Sequence, residues 1–96
     1  MAYVVAATWR THDGEEEAIA RILEAAVPIF RAETACHTFQ AHRSTENPRE
    51  FFLYEKYDDE AGFQVHVATD AFKQYVLEEA VPRLEHRARA IYVTMD

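Results

Sequence analysis

The sequence predicts an α+β domain in which a four-stranded sheet carries helices on one face, and three observations lead there. Four β-branched or aromatic runs of strand length recur along the 96 residues. The stretches after the first and third runs repeat apolar residues at three- and four-residue spacing, as amphipathic helices do. A short turn cluster is all that separates the second run from the third, so those two are neighbours in a hairpin. The resulting order of strand, helix, strand, strand, helices, strand is the split βαβ arrangement of a ferredoxin-like sheet.

The first strand is read over Tyr3–Arg10, Tyr-Val-Val-Ala-Ala-Thr-Trp-Arg. His12-Asp13-Gly14 turns the chain, and Asp13 is expected to cap a helix whose positive end Glu15, Glu16 and Glu17 favour. Ile19, Ile22, Leu23, Ala26, Ile29 and Phe30 form its apolar stripe. Pro28 falls inside that stripe, where it removes an amide donor and crowds the preceding turn, so a kink or short break is expected near Val27. His37–Arg43 alternates apolar and polar positions as a second strand, and Ser44–Pro48 is the turn. Phe51–Tyr57 is the third strand. Asp58 and Asp59 open a second helix with Phe63, His66 and Val67 on one face, and Thr69-Asp70 caps a third piece carrying Phe72, Tyr75 and Val76. Pro82 ends or bends that piece, and Ala90–Met95 closes the chain as the fourth strand.

Composition bounds the partners. Seventeen acidic against ten basic side chains give a net charge of -7, and the cations are scattered, so a nucleic-acid partner is not expected. No run approaches the roughly 20 apolar residues that span a bilayer, so no membrane partner is expected either. Cys36 is the single cysteine, which closes no disulfide and fits a reducing, cytoplasmic setting. Residues 1–96 read as one domain without a linker or repeat. A domain this size hides only roughly 60 to 65% of the surface its unfolded chain exposes, so help from outside the single chain is expected. The strands say where: Val4 with Val5 and Phe52 with Leu53 are apolar at consecutive positions, as in a sheet buried on both faces. Helices cover one face, and a second subunit packed sheet to sheet would cover the other, which makes a homodimer the expectation.

His66 is the first candidate for chemistry. Its helical face is shared with Phe63 and Val67, which aims the imidazole at the sheet, where a side chain titrating near neutrality suits proton removal from a bound phenol. The same position also fits a core histidine bonded to a backbone carbonyl. Glu55 and Tyr57 share one face of the third strand and could give a pocket a carboxylate and a phenol; alternatively Glu55 pairs with an arginine at the sheet end and Tyr57 is ordinary packing. Trp9, the only tryptophan, could stack on a flat ligand or serve the core. The five histidines show no His-x-x-x-His spacing, and His37 and His42, five apart on a strand, point to opposite faces, so no metal is expected. Cys36 reads as a small buried residue. Gly14 and Gly62 are the only glycines, so no phosphate-binding loop signals a nucleotide or flavin.

Glu33-Thr34-Ala35-Cys36-His37-Thr38-Phe39 resembles the Glu-Pro-Gly-Cys-x-x-Tyr segment of the antibiotic biosynthesis monooxygenase domain. Phe52-Leu53-Tyr54-Glu55-Lys56-Tyr57, followed by Ala61, His66 and Phe72, resembles that domain's next stretch, and the likeness covers nearly the whole chain. The resemblance implies a dimeric α+β barrel of two ferredoxin-like sheets. It also implies oxygenation of an electron-rich phenol, quinol or anthrone by O2 with no cofactor, because an ionised phenol can itself reduce oxygen. The family's frequent histidine falls on His66, its strand glutamate on Glu55 and its following aromatic on Tyr57. His66 would then assist deprotonation, Glu55 would orient it or balance its charge, and Trp9, Tyr57, Phe63 and Phe72 would contact an aromatic small-molecule substrate. Thr34 and Ala35 replace the usual Pro-Gly, so the turn they occupy is expected to need no positive φ. The positions at which haem-degrading relatives carry Asn, Trp and His fall near Ala7, Tyr57 and Val76, and none matches. The alternative is a non-catalytic dimeric module of the same fold that binds a small molecule. It would have an apolar cavity with His66 bonded only to backbone.

Overall fold

The computed structural model describes residues 1–95. Strand β1 (Tyr3–Thr11) runs into helix α1 (Glu16–Arg31), and β2 (Cys36–Arg43) and β3 (Glu50–Tyr57) form the hairpin. Helix α2 (Glu60–Val67) is followed by α3 (Phe72–Ala80), which is π-wound, then by a 3-10 turn at Val81–Arg83 and by β4 (Leu84–Val93). The sheet is antiparallel in the order β2-β3-β1-β4, so the first and third strands are central. This is the ferredoxin-like α+β fold that the element order predicts.

Register assigns every strand residue to a face, because side chains alternate and directly paired residues share a side. Val5 pairs with Glu55 and Ile91, Ala7 with Leu53 and Arg89, and Trp9 with Phe51 and Arg87. Phe39 of β2 pairs with Glu55 from the other side. This is the helix-facing surface. Val5, Ala7, Trp9, Leu53, Glu55 and Tyr57 on it are all buried. Helix α1 covers it with Ile19, Leu23, Ala26, Val27 and Phe30, and α3 adds Phe72, Val76 and Ala80.

Several local expectations give way to packing. Asp13 does not cap α1: Gly14 turns the chain in the left-handed region at φ 87°, and the helix starts at Glu16 behind Glu15, which makes no side-chain cap. The first-turn acids Glu16 and Glu17 still complement the helix dipole. Pro28 does not break α1, which runs on to Arg31 with Val27 buried in it. Pro28 and Glu24, whose carbonyl loses its amide donor to the proline, both lie on the exposed side, where water can satisfy that group. Ile29 also leaves the stripe and is 44% exposed.

The fourth strand begins at Leu84, six residues earlier than its apolar run, and stops at Val93 before Met95. Polar and charged residues at Glu85, His86, Arg87 and Arg89 hide its first half from a pattern reading. They are tolerated because β4 is an edge strand, exposed along most of its length. The turn at Thr34-Ala35 has no positive φ, as its residues require.

Two devices set α2 over the sheet. The Asp59 carboxylate accepts the Gly62 amide at 2.9 Å and caps the helix. Gly62 lets α2 approach the turn before β2, since a Cβ there would lie 2.7 Å from Ala35 Cβ and 3.5 Å from Tyr57 Cβ. At its far end, the Thr69 hydroxyl donates to the His66 carbonyl at 2.8 Å and accepts the Phe72 amide at 3.0 Å, which ties α2 to α3.

Candidate active site

Between the helix-facing sheet surface and helices α1, α2 and α3 lies a cavity of about 260 Å³. Aromatic side chains from every layer form its walls: Trp9 from β1, Phe39 from β2, Phe30 from α1, Phe63 from α2 and Phe72 from α3. His66 and Glu55 enter from opposite sides, and Arg87 and Arg89 of β4 stand at the edge-strand end. Such a site, mostly apolar with a few convergent polar groups, is how small-molecule pockets are built.

His66 is 2% exposed, and its ring is fixed on all sides. Phe30 meets it edge-on at 4.6 Å and Phe72 at 5.1 Å, between ring centroids. Nδ1 lies 3.0 and 3.1 Å from the two carboxylate oxygens of Glu33, in the turn after α1. A carboxylate only accepts, so Nδ1 carries a hydrogen and donates it, which puts the lone pair of the neutral ring on Nε2. Nε2 is 3.9 Å from Glu55 Oε1, beyond hydrogen-bond reach. In its neutral form the imidazole is a fixed base turned toward the cavity. Burial lowers its pKa from the ordinary 6.5, while the hydrogen bond and charge of Glu33 push the other way.

Glu55 is 5% exposed on the central strand β3. The Tyr57 hydroxyl donates to its Oε1 at 2.7 Å. Burial raises the Glu55 pKa to about 7, with the Tyr57 bond and the charges of Arg89 and Arg87 opposing and the charge of Glu33 assisting. Tyr57 itself is wholly buried and does not line the cavity. It backs Glu55, one strand turn behind it, and burial with the neighbouring Glu55 charge keeps its phenol protonated.

The structure thus brings His66, Glu55, Trp9, Phe63 and Phe72 to one cavity and leaves Tyr57 behind its wall. Glu33, Arg87 and Arg89 are functional candidates that pattern reading missed. Glu33 opens the Glu-Thr-Ala-Cys segment, which was the available signal, whereas the arginines fall in a stretch that shows no strand pattern. Cys36 is half-buried, and its thiol is pushed up to about 11 by burial and by Glu33 and Glu55, so it stays protonated. No three His, Cys, Asp or Glu side chains converge as a metal site among the described residues, and no helix among them is long and apolar enough to cross a membrane.

Comparison with known proteins agrees with this architecture. A structure from Shewanella oneidensis is 27% identical, with a TM-score of 0.89 over 95% of this chain and 88% of that one. One from Pseudomonas aeruginosa is 25% identical at a TM-score of 0.90, covering 99% and 95% of the two chains. A Mycobacterium tuberculosis structure at 20% identity has the same fold, with a TM-score of 0.90 over 100% and 97%. No curated protein sequence matches. The model of the antibiotic biosynthesis monooxygenase family matches residues 2–77, about four-fifths of the sequence from β1 into α3, and the chain belongs to that family.

Proposed function

We propose that the protein is a homodimeric monooxygenase that oxidises an electron-rich phenol, quinol or anthrone with O2 and without a cofactor. The observation that carries the reading is the buried His66, its Nδ1 bonded to Glu33 and its Nε2 free toward the cavity opposite Glu55. A module that only holds a ligand has no need of an oriented base in an aromatic pocket. Neutral His66 takes the phenolic proton, and the anion, shielded from water by the aromatic walls, passes one electron to O2. Recombination forms a carbon–oxygen bond. With an anthrone the peroxide then loses water, so one oxygen atom replaces two hydrogens as the new carbonyl and the other leaves in water. Glu55 balances the imidazolium charge while the proton is held. The test is oxygen consumption by flavin- and metal-stripped protein against hydroquinones, dithranol and flavonols. Uptake above the spontaneous rate supports the reading, and none across the panel would overturn it.

The pH dependence follows from the two buried groups. Glu55 balances charge only when ionised, so kcat/KM is expected to rise with pH on a limb centred near 7, the raised Glu55 value. In Glu55→Gln that limb should vanish, and the remaining rise should move to lower pH with the depressed His66. An unchanged limb in the variant would remove Glu55 from the reaction.

The dimer is supported by the uncovered sheet face. Phe52 and Tyr92 lie on it at 40% and 58% exposure, so the isolated chain leaves large aromatic side chains in water. Because Phe52 is exposed in the protomer, Phe52→Asp should leave the fold intact but place a charge without a partner in the subunit interface. Light scattering at micromolar concentration should then find a folded monomer for the variant and a dimer for the natural protein. A natural protein that is monomeric at that concentration would contradict the arrangement.

A further inference from the structure

Of the eight arginines of this acidic protein, five meet partners within the chain, and Arg21 is exposed on α1 away from the cavity. Arg10 and Arg49 meet Glu85, Arg43 meets Glu17, Arg83 meets Glu15, and Arg31 donates to the Phe39 carbonyl. Arg87 and Arg89 form no ion pair with a carboxylate among the described residues, yet both line the cavity. They are two residues apart on β4 and on the same sheet face, opposite Trp9 and Ala7. Arg89 is held in place by the Phe63 ring, 5.1 Å beneath its guanidinium carbon. Two like charges kept side by side at the rim of an apolar cavity repel each other, and an anion between them relieves that repulsion.

We propose that Arg87 and Arg89 bind a carboxylate on the substrate, so that the pocket selects an aromatic acid with its phenol at His66 and its anionic group at β4. This rests on the oxygenase reading of the pocket and narrows its substrate class. The acidic side chains around His66, Glu55 in the cavity lining and Glu33 behind the ring, agree with that orientation. Glu55 and Glu33 flank His66 and would repel an anion there, so the only favourable end is the arginine end. Desolvation and the charge of Arg89 lower the Arg87 pKa from its ordinary value, against the opposing charge of Glu55. Two planar guanidinium forks match a carboxylate in geometry as well as charge. The cavity, at about 260 Å³, is small for a ligand site, which favours a compact fused-ring acid.

The test is anaerobic binding, which does not depend on turnover. A hydroxynaphthoate is compared by calorimetry with the naphthol that differs only in lacking the carboxylate. The acid is expected to bind about tenfold more tightly or better, since hydrogen bonds to charged groups are the strong ones, and salt should weaken that preference. The Arg87→Gln/Arg89→Gln double variant should lose the preference while still binding the naphthol. An Arg87→Lys/Arg89→Lys variant keeps the charges without the forks and should retain part of it; it carries the test if the glutamine pair does not fold. Equal binding of the two ligands, no binding of either, or a preference that survives in the glutamine pair would overturn the proposal. So would a double variant whose ligand preference is intact and whose dimer is weakened, because the arginines would then serve the partner subunit. Protein that shows the preference but consumes no oxygen leaves this proposal standing and removes the oxygenase reading alone.

Discussion

His66→Ala is expected to lower kcat for oxygen-dependent turnover by about a hundred- to a thousandfold, with KM little changed, because a positioned base contributes on that scale in the transition state. The reason lies in how completely the ring is determined. Its Nδ1 is committed to Glu33, its faces and edges to Phe30, Phe39, Tyr57, Phe63 and Phe72, and its Nε2 alone is left for the substrate. Truncation to alanine removes the base, and no other unbonded nitrogen base lies in the cavity to replace it. Glu33→Gln offers a contrast, since an amide can still accept from Nδ1. That variant should keep much of the rate but lose the charge that stabilises the imidazolium. Steady-state kinetics with a fast-reacting anthrone would measure all three proteins. A His66→Ala enzyme within about threefold of the natural one would remove the histidine from the mechanism, because general base catalysis contributes far more than that.

Phe30→Ala should cost about 3–5 kcal/mol of folding stability, a large part of the roughly 5–15 kcal/mol available to a domain. Phe30 is 1% exposed and stands where α1, β2 and α2 meet, 5.2 Å from Phe39 and edge-on to His66. Removing it deletes a buried ring and opens the cavity wall. Ile29 is the matched control. It is adjacent in sequence and nearly half exposed, so Ile29→Ala should change stability by no more than about 0.5 kcal/mol. Denaturant melts at one fixed protein concentration, which the proposed dimer would require, would measure the pair. Equal losses at the two positions would mean that the burial described for α1 is wrong.

The fold was legible because its signals are local. Strand runs at Tyr3–Arg10 and Phe51–Tyr57 and the stripe from Ile19 to Phe30 need only periodicity, and the split βαβ order follows from their sequence. What escaped was decided by tertiary position. Asp13 has the chemistry of a cap, but Gly14 turns the chain away before it can serve. Pro28 has the chemistry of a helix breaker, yet on the water side of α1 its lost hydrogen bond costs little. The first half of β4 carries edge-strand charges that no two-residue alternation reveals, and with it the sequence hid Arg87 and Arg89. At the site, helical spacing alone pointed His66 toward the sheet. Its partner Glu33 lies 33 positions away in a turn, and only the folded chain joins them. Tyr57 shows the limit of face arithmetic: it shares the helix-facing side with Glu55, but α2, pressed close by Gly62, covers it, so it supports the carboxylate from behind.

The most direct measurement of cofactor-free monooxygenation is the fate of the oxygen atoms. Flavin- and metal-stripped protein would be given dithranol under isotopically heavy O2, and the quinone product would be weighed by mass spectrometry beside the His66→Ala variant. The account requires a single heavy oxygen atom in the product, formed at a rate that collapses in the variant. A product carrying only ordinary oxygen, or heavy product formed equally fast without His66, would contradict it.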